Sequence, residues 1–243
     1  MPDRADVRIA VVVPAFQAAT NVGAVVARTL ATVPAARVIV VDDGSTDGTG
    51  SAASAAGATV VRHETNLGKG AALRTGVAEA AARGAGGGRW RGGRASVIVT
   101  LDADGQHPPE EIPRLVAPVA AGRADLVLGA RERTVAMPFG RQLTNRLSAA
   151  LASRIGGQPI SDAQTGFRAF TGEVAALVRP AESHFEYETA FLLEALARRI
   201  RVASVAIPTV YDGAPSHFRA VADTWRLARV FARYGRTILF GAS

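Results

Sequence analysis

The residues best suited to chemistry form a short acidic run, Asp102-Ala103-Asp104-Gly105-Gln106-His107. It follows Ser96–Leu101, an apolar and β-branched stretch that predicts a buried strand. Carboxylates at i and i+2 face opposite sides of an extended strand, but where the chain turns at the strand end both can reach one divalent ion. Mg²⁺ and Mn²⁺ favour oxygen ligands and are often held by one or two carboxylates together with substrate phosphates. Asp102 and Asp104 are therefore candidate metal ligands, and the ion would neutralise a departing diphosphate. A solvated acidic turn is the plainer reading, and the buried strand ahead of the pair argues against it.

Other groups stand where similar turns are expected. Asp42-Asp43-Gly44-Ser45-Thr46-Asp47 follows the apolar stretch Arg37–Val41. A carboxylate at a strand end can accept hydrogen bonds from a nucleotide base or from ribose hydroxyls, Gly44 permits a tight turn, and Ser45 or Thr46 can cap the helix that follows. Lys69, the only lysine of the chain, sits between Gly68 and Gly70 at an expected helix start, a setting that suits a phosphate. Arg131, Arg133, Arg141 and Arg146 supply guanidinium forks of the kind that hold phosphate groups. Arg131 leads that group, because Arg141 and Arg146 lie on one expected helix without sharing a face; otherwise these are solvated surface arginines.

The elements that must position these groups alternate. Strands are expected at Arg8–Val13 (ended by Pro14), Arg37–Val41, Thr59–Val61, Ser96–Leu101, Asp125–Leu128 and Val202–Ile207. Helices are expected at Asn21–Thr32 with Thr20 as N-cap, Asp47–Ala56, Gly68–Arg83, Pro109–Ala120, Gly140–Ile155, Tyr187–Ile200 and Ala220–Leu239. Strand–helix alternation implies an α/β fold with a mostly parallel sheet and right-handed crossovers, and in such sheets function sits at the carboxyl ends of the strands. The Gly-rich stretch Gly84–Arg94 cannot hold regular structure cheaply and reads as a surface loop, with Trp90 between Arg89 and Arg91 a candidate lipid contact.

VVVPAFQAATNV, VVDDGSTDGT, NLGKGAALRTG, LDADGQHPPEEIP, VLGAR and DAQTGFRAF occur in this order. Together the chain resembles family 2 glycosyltransferases of the GT-A fold, and among them the polyprenyl-phosphate sugar synthases of the dolichyl-phosphate mannose synthase type. The resemblance implies a Rossmann-like three-layer sandwich over residues 1–218, with 219–243 as an appended amphipathic basic helix. It implies that Pro14, Phe16 and Gln17 line the nucleotide pocket, that Asp42 and Asp43 bind base and ribose, and that Lys69, Asp102 and Ala103 lie along the donor. Asp102, Asp104 and Gln106 would hold Mg²⁺ or Mn²⁺, and Arg131 would contact a donor or acceptor phosphate. The implied reaction is an inverting displacement that moves a hexose from a GDP-mannose or UDP-glucose type donor to a polyprenyl phosphate.

The acceptor decides what else is needed. A hydroxyl requires a general base, for which Asp162 is the candidate, whereas a lipid phosphate requires only cations. With a phosphate acceptor, Asp162 would orient the sugar or pair with Arg168, and one of Glu186 and Glu188 would reach the site. Polyprenyl-phosphate mannose synthases carry an Arg five residues before a Ser-Lys pair; here Tyr211 takes the place of that Arg, and Ser216-His217 stands for the pair. The alternatives are a glycosyltransferase acting on a glycan or small-molecule hydroxyl, and a non-catalytic nucleotide-sugar or lipid-binding module.

The net charge of +7 points to an anionic partner, phosphate or anionic lipid, if it is more than Arg-rich composition. No aromatic-basic platform favours nucleic acid. The absence of cysteine rules out disulfides and thiolate metal sites. The N-terminal apolar run is too short for a signal peptide and no window is long enough to span a bilayer. The expectation is a cytoplasmic protein, peripheral at most on a membrane through the arginine-striped stretch Asp223–Phe240.

Overall fold

The structure is a computed structural model that describes residues 7–82, 96–131, 139–208 and 229–234. Strands β1 (Ile9–Ala15), β2 (Arg37–Asp42), β3 (Thr59–Arg62), β4 (Val97–Thr100), β5 (Leu126–Arg131), β6 (Arg168–Thr171) and β7 (Val202–Ile207) form one seven-stranded sheet in the order β3-β2-β1-β4-β6-β5-β7. All neighbouring pairs are parallel except those of β6, which runs antiparallel to both β4 and β5.

Alternation along the strands builds two cores. In β1, Val11 and Val13 face one apolar cluster while Ala10 and Val12 face the other, as the period of two requires. One face is covered by α1 (Ala19–Thr32), α2 (Thr49–Ala55) and α4 (Ile112–Ala120), the last preceded by a 3₁₀ turn at Pro109–Glu111. The other face is covered by α3 (Lys69–Ala81), α5 (Phe139–Gly156), α6 (Gly172–Leu177), α7 (Tyr187–Ala197) and the helical residues 229–234. Both faces of β1, β2 and β4 are buried, which is why these segments read as continuous apolar runs. The result is the expected three-layer α/β sandwich. Helix α3 lies close on β1 because Gly76 has no Cβ to strike Val12.

Several local expectations need correction. β1 continues through Pro14 to Ala15, in register with Val41 and Asp42 of β2. Helix α1 starts earlier than expected, so Thr20 lies inside it; instead the Asp47 carboxylate accepts a hydrogen bond from the Ala19 N–H (3.0 Å). Neither Ser45 nor Thr46 caps α2, whose N-cap is Gly48 with φ 89°. β6 and α6 were not foreseen. Gly84–Arg94, Tyr211, Arg133 and most of the C-terminal stretch lie outside the described residues.

Chain order places a reversal at β1: β2 and β3 extend the sheet to one side, β4 to the other. Open α/β sheets bind ligands in the crevice at such a switch point. Here that crevice lies beyond the ends of β1 and β4, where Phe16-Gln17 and Asp102-Ala103-Asp104 leave the sheet.

Candidate active site

The loops after β1 and β2 are tied into one body. Gln17, held at φ 50°, donates its N–H to Ser45 Oγ (3.0 Å), exchanges side-chain bonds with Thr46 (3.1 and 3.2 Å), and Ala18 N–H reaches Thr49 Oγ1 (2.8 Å). Pro14 is buried inside β1, whereas Phe16 is 49% exposed and Gln17 is exposed at the crevice. Gly44, at φ 77°, brings the second loop against the chain at Thr65; a Cβ there would stand 2.6 Å from the Thr65 carbonyl carbon.

Asp42 and Asp43 are both buried, and their carboxylates serve these loops. Asp42 accepts from Ser45 N–H (2.9 Å), and its other oxygen lies 3.7 Å from the Arg62 guanidinium. Asp43 accepts from Leu67 N–H (3.0 Å), Gly68 N–H (2.8 Å) and the His63 ring (2.7 Å), which also bonds Thr75 (3.0 Å). Asp43 thus joins the end of β2 to the turn that starts α3. Both carboxylates are thus buried within the loops they brace, while Phe16 and Gln17 are exposed.

Lys69 opens α3 and reaches across the crevice floor. Its ammonium lies 2.8 Å from Asp102 Oδ1 and 2.7 Å from Glu188 Oε1, on α7. Burial would lower the Lys69 pKa, but the two carboxylates overcome it and raise it above the ordinary lysine value. For Asp102, burial would raise the carboxyl, yet Lys69 first and His107 next bring it down to about 2. Asp102 is therefore a fixed anion. Gly166 backs it, since a Cβ there would stand 2.9 Å from Asp102 Oδ1. Buried His107 lies below, its Nδ1 3.8 Å from Asp102 Oδ2 and its ring 5.4 Å from that of Phe167; burial lowers its pKa.

Asp104 differs from Asp102 in being exposed. One of its oxygens accepts from the Gln106 N–H (3.0 Å), while Ala103 between the two is buried. Among the described residues no three of His, Cys, Asp and Glu converge as a ready metal cage. The oxygen donors present, one open carboxylate beside one pinned carboxylate and the Gln106 amide, fit a divalent ion that completes its shell with substrate phosphates.

Beyond β5 the chemistry changes. Arg131 makes a forked pair with Asp162, Nε to Oδ2 at 2.8 Å and Nη2 to Oδ1 at 3.2 Å, with the two side chains 9% and 2% exposed. Burial would raise the Asp162 carboxyl, but Arg131 and the Gln164 N–H hold it below the ordinary carboxylate value. The expected alternative pairing of Asp162 with Arg168 is not formed: buried Arg168 donates to the carbonyl oxygens of Ala163, Thr165 and Glu188 (3.1, 2.8 and 2.6 Å). Arg131 and exposed Arg146 line a cavity of 620 Å³ with Ser161 and Ser204. Ser216, His217 and the side chain of Arg141 lie outside the described residues.

Residues 10–179 match the family model described as glycosyl transferase family 2. The chain belongs to that family. The glycosyltransferase is 32% identical over 209 residues to an uncharacterized protein of Methanocaldococcus jannaschii, covering 84% of this chain and 82% of that one. It is 33% identical over 177 residues to the polyprenol monophosphomannose synthase of Mycolicibacterium smegmatis, covering 69% of this chain and 63% of the synthase. A solved structure of glucosyl-3-phosphoglycerate synthase from Mycobacterium tuberculosis with uridine diphosphate superposes with a TM-score of 0.73 at 25% identity, covering 95% of this chain and 81% of that one. The seven-stranded α/β architecture of this glycosyltransferase is thus that of GT-A enzymes.

Two participants, His107 and Gly166, have no role in the sequence reading of the site, and a third is only half-assigned there. Glu188 was one of a pair of candidates, and only its contact with Lys69 separates it from Glu186. His107 and Gly166 had no signal beyond standing in motifs already noted.

Proposed function

We propose that this glycosyltransferase moves a hexose from a nucleotide-diphosphate sugar, of the GDP-mannose or UDP-glucose type, to a polyprenyl phosphate, with inversion at the anomeric carbon. The observation that carries the reading is exposed Asp104 beside pinned Asp102 at the switch-point crevice, opposite the joined loops bearing Phe16 and Gln17. Base and ribose would lie on those loops and the diphosphate over Asp104. Asp102, Asp104 and Gln106 would hold Mg²⁺ or Mn²⁺, and a bound ion supplies charge neutralisation to the leaving diphosphate. Lys69 keeps Asp102 oriented. An acceptor phosphate oxygen attacks the anomeric carbon, the bond from that carbon to the donor diphosphate breaks, and a nucleoside diphosphate departs.

Two features support a lipid phosphate. Asp162 is ion-paired and held below its ordinary value, so it is a poor base, and an anionic phosphate needs none. Helix α5, whose Arg146 lines the cavity, carries no Asp or Glu, and its Leu147 and Leu151 are 62% and 41% exposed. Such a surface suits an apolar, anionic molecule and a peripheral contact with a membrane. Among the described residues no helix is long and apolar enough to cross one. The relatives include proteins named polyprenol monophosphomannose synthase and undecaprenyl-phosphate mannosyltransferase. A second reading, transfer to a hydroxyl of a small phosphorylated acceptor, is favoured by the likeness to glucosyl-3-phosphoglycerate synthase.

The test is mass spectrometry of products after incubation with GDP-mannose or UDP-glucose, Mn²⁺, and either a polyprenyl phosphate or 3-phosphoglycerate. A glycosylated polyprenyl phosphate is the expected product. Glycosylated phosphoglycerate alone selects the second reading, and no product with either acceptor rejects both.

A further inference from the structure

The segment between α6 and α7 forms a strap across the first turn of α3. The Gly70 and Ala71 N–H groups both donate to Ser183 O (2.8 and 3.3 Å). Arg74, one turn on, donates to the backbone oxygens of Ala181 (3.1 Å) and Glu182. Strap and helix touch backbone to backbone, for a Cβ on Gly70 would stand 2.7 Å from Glu182 O. The Phe185 ring, further along the strap, lies 5.8 Å from Lys69 Nζ. The strap therefore fixes the helix start from which Lys69 reaches Asp102 and Glu188.

The other side of the strap meets the helical residues 229–234. Val230 is buried in the same cluster as Leu73, Val77 and Tyr187, with Phe231 and Tyr234 packed against it. The Glu182 carboxylate lies at this seam, 11% exposed, with Oε1 3.5 Å from Arg233 Nη1. Burial, then the Glu182 carboxylate, push the Tyr234 phenol up to about 12. Glu182 Oε2 is buried with no hydrogen-bond partner among the described residues. A carboxylate so placed depends on its partners, the Arg233 guanidinium and the Tyr234 hydroxyl that hydrogen-bonds it, because a buried charge left uncompensated is costly.

We propose that Glu182 is a positioning residue for the donor site: it couples residues 229–234 to the strap and, through the strap's grip on α3, sets where Lys69 holds Asp102. Lifting the C-terminal segment from Glu182 loosens the crevice floor without touching any residue that faces the donor. The coupling itself rests on the contacts above; only its effect on donor affinity rests on the proposed function.

The test compares Glu182→Ala, Glu182→Gln and Arg233→Ala in the full chain by amide hydrogen exchange and by calorimetry with GDP-mannose and UDP-glucose in Mn²⁺. Arg233 is 66% exposed, so its variant folds even where Glu182→Ala does not. Exchange at Gly70 and Ala71 should quicken about tenfold or more in Glu182→Ala and Arg233→Ala, and less in Glu182→Gln. Donor affinity should fall about five- to tenfold in step. In a Lys69→Met background Glu182→Ala should weaken the donor less than about twofold further, since both changes act through one contact. Unchanged exchange in every variant overturns the coupling, and so does a donor loss that multiplies fully with that of Lys69→Met. If the wild type binds neither nucleotide sugar, the proposed function fails, and amide exchange alone decides the coupling.

Discussion

The two sides of the sheet's carboxyl edge are built differently. On the β1–β4 side the loops are tied to one another: Gln17 to Ser45 and Thr46, Asp47 to Ala19, Asp43 to Leu67 and Gly68, Lys69 to Asp102. Among the described residues most charges on this side are paired, whereas Asp104 is exposed. On the β5–β7 side one buried pair, Arg131–Asp162, borders an open cavity, and the helix beside it exposes leucines and arginines. If, as proposed, the tied side takes the donor and the open side the acceptor, the contrast teaches that a constant ligand and a variable one call for different construction. Preorganised loops lose little on binding, whereas an open apolar and basic surface tolerates acceptors of differing shape.

The strongest way to break this comparison is at Asp104. Asp104→Ala should lower turnover about a thousandfold, the order expected when metal-assisted neutralisation of a leaving diphosphate is lost. It should leave any vesicle binding unchanged, because the proposed membrane contact lies on the other side; turnover within a few-fold of wild type would remove the metal assignment.

Next in size is the buried pair. Arg131→Met strands Asp162 as an uncompensated buried anion and should cost about 3 kcal/mol or more in denaturant unfolding. The pair also carries a pH signature. Because the folded Asp162 carboxyl lies below its unfolded value, its contribution is complete above about pH 4 and is lost as pH falls through the folded value. Stability of the wild type should therefore decline below about pH 4 more steeply than that of Arg131→Met; parallel curves would show that the pair is not closed in solution.

On the donor side, Gly44→Ala should cost about 2 kcal/mol, combining a left-handed backbone with a clash on Thr65. It should weaken donor binding more than acceptor binding. The smallest effect on stability, within about 0.5 kcal/mol, is expected from Leu147→Ser with Leu151→Ser, since both are exposed. If the acceptor is a lipid, the same pair should nonetheless reduce transfer in a vesicle assay while sparing donor affinity; unchanged transfer would assign the open side to a soluble acceptor.

What could be read from sequence follows the same division. β1, β2 and β4 announce themselves because burial on both faces demands unbroken apolar runs, and Asp102-Ala103-Asp104 stands out because its members are adjacent in the chain. β6 did not, being only four residues long and opening with a buried arginine whose acceptors are backbone carbonyls brought in by the fold. Asp42 and Asp43 stood out by type and place, but their contacts within the chain did not. Their types allowed ligand binding, and only the arrival of Leu67, Gly68 and Arg62 from the next crossover shows them bracing the loops. The pairing of Lys69 with Glu188 joins distant helices and carries no local pattern. Arg131 and Asp162 were both named, yet as separate agents rather than as partners.

The central claim is that Asp104, beside a pinned Asp102, presents a divalent ion to the donor's diphosphate. Calorimetric titration of the wild type and Asp104→Ala with the preferred nucleotide sugar, in Mn²⁺ and in EDTA, tests it most directly. The account predicts that Mn²⁺ tightens donor binding at least about tenfold in the wild type and has no effect in Asp104→Ala. Equal donor affinity with and without the metal in the wild type would contradict it.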